Sequence, residues 1–235
     1  MAEKEQALAY LNRDRVLNIS IIEPLRLERG QVLAAGPQGV AVQVEDVTMV
    51  AADSYAAAMA LVPPDFHTLN VMGGRLAEQV QESLGLTCTC QCYQAAYLET
   101  ERLPVAGDIR QLDMTYFQPV LEGYSLFHDP AYIAQRLTAG VIYGAFVEGH
   151  LAGFVGEHSE GSMGMLEVFP AFRRRGLALA LESFQINRYL AQGRVPYDQV
   201  IVGNTASMAL QRKAGMTLST DTMAWLRRPG ERSGT

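Results

Sequence analysis

The residues best suited to chemistry lie in one segment, Leu166–Ala178. Its first residues predict a β-strand that ends at Pro170. A basic turn follows, and then a stretch rich in Leu and Ala that predicts a helix. A helix N-terminus offers unpaired N–H groups to an anion, and a glycine lets the anion approach closely. The segment predicts a diphosphate-binding turn made of Arg173, Arg174, Arg175, Gly176, Leu177 and Ala178.

The turn is not one of the common nucleotide motifs, because it contains neither the Gly-Lys-Ser/Thr of Walker A nor a G-x-G-x-x-G. A basic triplet before a helix is also typical of a plain solvated turn. A second segment, Asn204–Met216, favours the functional interpretation. It follows a short apolar strand, and its Asn204, Ser207 and Lys213 predict an amide, a hydroxyl and a lysine close to one helix start.

Taken together in this order, the two segments resemble the GCN5-related N-acetyltransferase (GNAT) superfamily. The acetyl-CoA signature R/Q-x-x-G-x-G/A, behind a strand ending in V-x-P, is matched by Arg173, Gly176 and Ala178 behind Val168 and Pro170. The second motif is matched by Asn204, Ser207, Leu210, Lys213, Gly215 and Met216. The resemblance covers about residues 109–226. Residues 193–197 and Trp225 are similar to the FR47-like and glycine N-acyltransferase-like group.

The resemblance implies an α/β fold of the GNAT type, with a mixed central sheet splayed at the cofactor-binding strands. These would be the strands of Glu167-Val168 and Val200-Ile201. It implies acetyl-CoA as co-substrate and no metal. The pantetheine would pair with the backbone at Val168, and the Arg173–Ala178 turn would hold the pyrophosphate. Asn204 would lie near the pantetheine arm. The acetyl or acyl group would pass directly to a primary amine of a small molecule or amino acid.

The catalytic groups are less clear, because the chain departs from the family pattern at two positions. Gln211 stands where the family often has a tyrosine that protonates the thiolate, and Ser162 stands where glycine-acylating relatives have a glutamate base. Glu167 is the first choice as base or as the residue that orients a water, with an ordinary strand glutamate as the alternative. His158, Tyr143 and Tyr197 are more typical of structural roles. The two departures favour a competing function, a non-catalytic acyl-CoA-binding or sensing protein.

The pattern of elements predicts two sequential units, residues 1–104 and 105–235. The first would be a degenerate GNAT-like α/β unit that shapes the acceptor pocket, with Phe66, His67 and Tyr93 as candidates, and the second the acetyltransferase domain. An extended run is predicted from Ile19 to Ile22, and a linker at 100–108. The helix after the basic turn is apolar on two sides, so Leu179 and Leu190 are expected to meet a neighbouring element, either the first unit or a second subunit of a homodimer.

Composition limits the function further. The 235 residues carry a net charge of −6, but residues 164–235 hold ten Lys and Arg against five Asp and Glu, a local charge of +5. An acidic chain with one basic third suits a small polyanion rather than nucleic acid. The longest near-apolar run, residues 55–64, is too short to cross a membrane. The N-terminus has no secretory signal, so a cytoplasmic protein is expected.

Three cysteines, Cys88, Cys90 and Cys92, alternate along one predicted strand and should share a face. Their spacing along a single strand is wrong for a tetrahedral zinc site. Three buried thiols that pack as small apolar groups are the preferred interpretation over a metal or redox role. The odd number, in a chain expected to be cytoplasmic, argues against disulfides.

Overall fold

The computed structural model describes residues 2–124, 126 and 129–230. Helices and strands alternate along the chain, which confirms the predicted α/β class. The helices are α1 (Ala2–Leu11), α2 (Ile19–Arg26), α3 (Tyr55–Leu61), α4 (Gly74–Leu84), α5 (Phe117–Gly123), α6 (Pro130–Thr138), α7 (Leu177–Ala191) and α8 (Thr205–Lys213). The strands are β1 (Gly30–Gly36), β2 (Gly39–Val44), β3 (Val47–Ala52), β4 (Thr68–Met72), β5 (Thr87–Ala96), β6 (Asp108–Gln111), β7 (Tyr143–Val147), β8 (His150–Glu157), β9 (Met163–Val168), β10 (Tyr197–Ile201) and β11 (Thr217–Arg227).

Contacts divide the chain into two compact units. The first contains residues 1–96, 199–205 and 217–234. Its strands follow the order β1-β2-β3-β4-β11-β5, and the β3–β4 pair is parallel. The last strand in sequence, β11, thus lies between β4 and β5 and is antiparallel to both. The residues of α1 and α2 pack in one apolar cluster, and those of α3 and α4 pack in another.

The second unit contains residues 97–198 and 206–216. Its strands β6, β7, β8 and β9 form an antiparallel meander in sequence order. The cores of α5 and α6 pack with Phe154 of β8, while Leu181 of α7 packs with the neighbouring Val155. Adjacent strand residues point to opposite faces, so these helices cover the two faces of the meander. The start of β10 pairs in parallel with β9 through one residue pair, Asp198 with Met163.

Of two local predictions from the sequence, one is confirmed and one is wrong. The hairpin at 148–150 is confirmed, and Glu148 and Gly149 both have the positive φ that a tight two-residue turn requires. The extended run predicted at Ile19–Ile22 is wrong, because these residues begin α2, and all three isoleucines are buried in the first unit. Burial of nearly the whole helix has overridden the β-preference of its three isoleucines.

The division of the chain into two sequential units, 1–104 and 105–235, stays a prediction. Residues 97–107 contain no helix or strand, as expected of a connection. By contacts, however, the compact units are interleaved along the sequence, since β11 pairs inside the first. On α7, Leu179 and Leu190 are half-buried and Ile186 is fully buried. The contact of this second face of α7 with a neighbouring element or with a partner subunit also stays a prediction.

The three cysteines are all free and on β5, but they are not all buried. Cys88 is exposed, Cys90 is half-buried and only Cys92 lies in the core. The pairing of β5 with β11 shifts register between Cys88 and Cys90, and such a bulge breaks the strict alternation of faces. The thiols of Cys90 and Cys92 lie 3.2 Å apart in hydrogen-bond contact.

Candidate functional site

Strand β9 is bulged just before the predicted anion-binding turn. Met165 has a φ of 51° although it is not glycine, and the pairing with β8 passes from Gly156–Gly164 to Phe154–Glu167. From Gly164 to Glu167 the chain of β9 advances three residues, while β8 advances only two, from Gly156 to Phe154. This bulge interrupts the hydrogen-bond ladder between the strands and leaves backbone groups of β9 unpaired within it. This bulge could not be predicted from residue type, since nothing in Met165 itself favours a left-handed conformation.

The bulge is followed by a close contact between the backbones of β8 and β9. At Gly153 a Cβ would lie 2.4 Å from the carbonyl oxygen of Glu167 and 3.0 Å from the Cα of Val168. Only glycine fits there. Leu166 and Val168 pack with Leu177 and Leu181 of α7, so Glu167 faces the opposite side of the meander.

The turn between β9 and α7 is shaped to present backbone N–H groups. Residues 170–172 form one 3-10 turn, after which Arg174 has a φ of 64° and Gly176 a φ of 81°. Left-handed residues at such spacing make the concave arrangement of amides that binds anions. The first helical hydrogen bond runs from Ala180 N to Gly176 O, so the amides of the first turn of α7 have no acceptor within the helix.

Gly176 is the N-cap of α7, and no side chain caps the helix. A Cβ at Gly176 would meet no atom within 4 Å, so the space in front of the turn is open. The positive φ disfavours any other residue at this position. The amides of Leu177 and Ala178 thus face an open position, which fits a diphosphate at the predicted place.

Three exposed arginines precede these amides. The Nε of Arg173 donates to the carbonyl oxygen of Val168 at 2.9 Å, which ties the turn to the end of β9. The guanidinium of Arg175 lies over the ring of Phe172, 5.6 Å from its centroid. Within the described residues, Arg174 forms no ion pair or side-chain hydrogen bond. Positive charge beside a helix N-terminus favours a bound anion.

The arrangement at Val168 modifies one expectation. The carbonyl oxygen of Val168 already accepts one hydrogen bond from the side chain of Arg173, so only its second lone pair is left for pantetheine. The Nη groups of Arg173 remain to face a phosphate. The roles of Val168 and Arg173 in cofactor binding stay predictions.

The second motif is spread out along α8. Asn204 is exposed and immediately precedes the helix, and its backbone N–H donates to the carbonyl oxygen of Ile201. Ser207 is half-buried in the first turn, whereas Lys213 is exposed at the last residue of the helix. Eight residues at ~1.5 Å each separate Lys213 from Thr205 by about 12 Å. The prediction of a lysine close to the helix start is therefore wrong, although a cofactor-binding role for each residue stays a prediction.

Glu167, the predicted base, is half-buried on the side of the meander that faces α5 and α6. Burial raises the pKa of Tyr124 strongly, and the charges of Asp198, Glu160 and Glu167 add to this rise. Several carboxylates therefore lie within electrostatic reach of one buried phenol. This environment is compatible with proton chemistry, and the catalytic role of Glu167 stays a prediction.

Other candidates near β9 have structural partners. Glu157 forms a buried ion pair with Arg194, 2.9 Å from Oε2 to Nη1. Tyr197 donates to the carbonyl oxygen of Glu160, and Ser162 donates to its carboxylate at 2.5 Å. Nδ1 of His158 lies 2.7 Å from the hydroxyl of Tyr132, and burial lowers the pKa of this histidine so that it favours the neutral ring. Tyr143 packs against Phe184 and under Arg188.

Sequence reasoning missed one buried polar group, made of Glu182 on α7, Asp198 on β10 and Gln211 on α8. The Nε2 of Gln211 donates to Asp198 Oδ2 at 2.6 Å. Burial raises the pKa of Glu182 to about 8; the charge of Asp198 also raises it, while the hydrogen bond with Gln211 lowers it. Glu182 could have been noticed as a carboxylate between Leu181 and Ser183 on an apolar helix.

Comparison with known proteins agrees with this geometry. Residues 140–226 match the family model described as FR47-like protein. A Drosophila protein of known X-ray structure superposes with a TM-score of 0.67 at 15% identity, over 98% of this chain and 97% of that one. A GCN5-related N-acetyltransferase from Kribbella flavida gives 0.56 at 13% identity, over 92% and 96%. A putative GNAT-family acetyltransferase from Novosphingobium aromaticivorans gives 0.53 at 20%, over 92% and 98%.

These similarities define the class, because fold and motif order agree: the chain has the GNAT fold. The match of residues 140–226 to the FR47-like model agrees with the resemblance that the two motifs carry. No curated protein sequence matches the chain. In the described part of the chain, no helix combines the length and apolar character needed to cross a bilayer. The same residues contain no cluster of His, Cys, Asp or Glu placed to hold a metal.

Proposed function

We propose that this protein is an acetyl-CoA-dependent N-acyltransferase that moves an acetyl or acyl group directly to a primary amine of a small molecule or amino acid. The observation that supports this most strongly is the turn from Arg173 to Ala178. It combines two left-handed residues, open space at Gly176 and three exposed guanidinium groups at the start of α7. On this proposal the protein acts in the cytoplasm, with neither nucleic acid nor membrane as partner.

Direct transfer needs a neutral amine, a thioester carbonyl within reach and a proton for the departing sulfur. Glu167 is the proposed base, because it lies two residues after the bulge and on the face opposite α7. The diphosphate would be held by the amides of Gly176, Leu177 and Ala178 together with Arg173, Arg174 and Arg175. Asn204, Ser207 and Lys213 are proposed to contact the remainder of coenzyme A.

The test is a calorimetric titration with acetyl-CoA of the wild type, Gly176→Val and Arg174→Ala. The valine projects into the space proposed for the diphosphate, so binding should be lost. Arg174→Ala should weaken binding by about 1–3 kcal/mol, the contribution of one charge-assisted hydrogen bond. Gly193→Val is the matched control, because Gly193 also has a positive φ and open space but follows the other end of α7. Equal affinity in Gly176→Val and Gly193→Val, with both folded, would refute the diphosphate site.

The second candidate function is an acyl-CoA-binding sensor without turnover. It is favoured by one observation, the glutamine at position 211, whose amide cannot donate a proton to a thiolate as a phenol does. Release of coenzyme A over a broad panel of amines separates the two functions. Tight binding of acetyl-CoA with no release for any amine would establish the sensor.

A further inference from the structure

Three elements of the second unit bring two carboxyl groups onto one amide. Glu182 comes from α7, Asp198 from β10 and Gln211 from α8. Glu182 is 2% exposed and Gln211 is 1% exposed, while Asp198 is half-buried. The amide nitrogen of Gln211 donates to Asp198 at 2.6 Å, and the side chain of Gln211 is also a hydrogen-bond partner of Glu182. One side-chain amide therefore connects both acids.

The hydrogen-bonding capacity of this group is unbalanced unless it holds a proton. Within the described residues, Glu182 Oε1 and Gln211 Oε1 are both buried without a hydrogen-bond partner. Two oxygens that only accept cannot satisfy each other, whereas a protonated carboxyl can donate to an amide oxygen. Two ionised carboxylates in a buried site also repel each other. A single proton shared by Glu182 and Asp198 removes both problems.

The electrostatic surroundings support a proton held near neutral pH. Burial and the charge of Asp198 raise the pKa of Glu182 to about 8, against an ordinary value of 4.5. The cations of α8 near this group, Arg212 and Lys213, are exposed. From the other side, the phenol of Tyr124 lies within electrostatic reach of Asp198. Since the two acids are coupled, the proton belongs to the pair rather than to either residue.

The pair lies at the end of β9 that is far from the anion-binding turn. Asp198 is the partner of Met163, the first residue of β9, while the turn follows Val168, the last. Five residues of strand span roughly 17 Å, comparable to the reach of an extended pantetheine arm. A coenzyme whose diphosphate lies in the turn and whose arm follows β9 would bring its sulfur near Asp198. This step rests on the proposed function.

We propose that Asp198 and Glu182 share one proton through Gln211, and that Asp198 delivers it to the sulfur of coenzyme A during acyl transfer. The amine nitrogen forms a bond with the thioester carbon, the C–S bond breaks and its electron pair goes to sulfur. Sulfur takes the one shared proton from Asp198, which leaves both carboxyl groups of the pair ionised. The nitrogen loses its proton to the base, and the pair regains one from solvent. Glu182 and Gln211 are positioning residues.

The held proton is tested without any ligand, by measuring unfolding in urea from pH 5 to 8.5. A raised pKa in the folded state means that folding retains a proton which the unfolded chain loses above pH 4.5. Stability should therefore fall as pH rises towards 8, by up to about tenfold in the folding constant per pH unit. Glu182→Gln keeps the shape and removes this dependence. Glu122→Gln, at an exposed glutamate of α5, should retain it. Equal pH dependence in wild type and Glu182→Gln would overturn the proposal.

The delivery step is tested by the pH profile of kcat for acetyl-CoA and an accepted amine. The wild type should lose rate above about pH 8, where the pair loses its proton. Glu182→Gln should lower kcat at least tenfold and move this limb to lower pH, with KM for acetyl-CoA unchanged; Asp198→Asn should remove the limb. An unaltered profile in both variants, with turnover intact, overturns this proposal alone. Absence of turnover in the wild type overturns the enzymatic function and this proposal together.

Discussion

Some side chains around the start of β9 stabilise the fold, whereas others are available for catalysis or binding. Arg194 is in the first class. It pairs with Glu157, donates from Nη2 to the carbonyl oxygen of Gly161 at 2.8 Å and lies over the ring of Tyr189 at 3.8 Å. Because the charge of Arg194 is matched and both of its terminal nitrogens donate hydrogen bonds, the ion pair tolerates burial that would otherwise be costly. The carboxylate of Glu157 is therefore committed to Arg194.

At this scale we predict that Arg194→Ala lowers the free energy of unfolding by about 3–5 kcal/mol, because it leaves the buried carboxylate of Glu157 without its partner. Urea unfolding at pH 7 measures the change. Arg102→Ala is the control, since this arginine is exposed and its loss should cost less than about 0.5 kcal/mol. Similar losses of unfolding free energy in both variants would mean that the buried ion pair does not stabilise the fold more than an exposed arginine does.

At the scale of elements, the geometry of the site depends on how β8, β9 and α7 meet. The bulge at Met165 and the close approach at Gly153 set the path of β9, and the turn after it delivers the first amides of α7. Because each feature is a backbone conformation, conservative side-chain changes nearby should matter less than changes that add a Cβ.

Gly153→Ala should therefore destabilise the protein by about 1–3 kcal/mol, since the added methyl group meets the backbone oxygen of Glu167, which cannot move aside without disturbing the strand. Gly36→Ala is the matched control. It is also a strand glycine, with no atom within 4 Å of the new Cβ, and should be neutral or slightly stabilising. Thermal unfolding of both variants measures the contrast, and a neutral Gly153→Ala would refute the close approach.

At the scale of the whole molecule, the compact units do not follow the order of the sequence. Strands β4 and β5 are not neighbours in the first unit, because β11 from the end of the chain lies between them. The first 104 residues by themselves would leave β4 with one unpaired edge and β5 without any neighbouring strand, because both neighbours of β5 come from later in the chain. Unpaired edges and uncovered apolar faces are unfavourable in water.

We predict that a fragment of residues 1–104 does not fold cooperatively. Joining residues 217–230 to its end through a flexible linker should restore a cooperative urea transition, followed by circular dichroism. The joined fragment is the control for chain length and handling. If residues 1–104 alone unfold cooperatively, the first unit is independent of β11, and the sequential division at residue 104 is the better description.

Residue types and their spacing were enough to predict the α/β class, most element positions and the two motifs. Strand–turn–helix signals are local, and Gly176 and the three arginines are recognisable from residue type alone. Tertiary structure decided the rest. The bulge at Met165 and the helix at Ile19–Ile22 depend on burial, which overrides local preference. The meeting of Glu182, Asp198 and Gln211 joins residues up to 29 positions apart in sequence, and only packing of α7, β10 and α8 brings them together and shifts the proton affinity of Glu182.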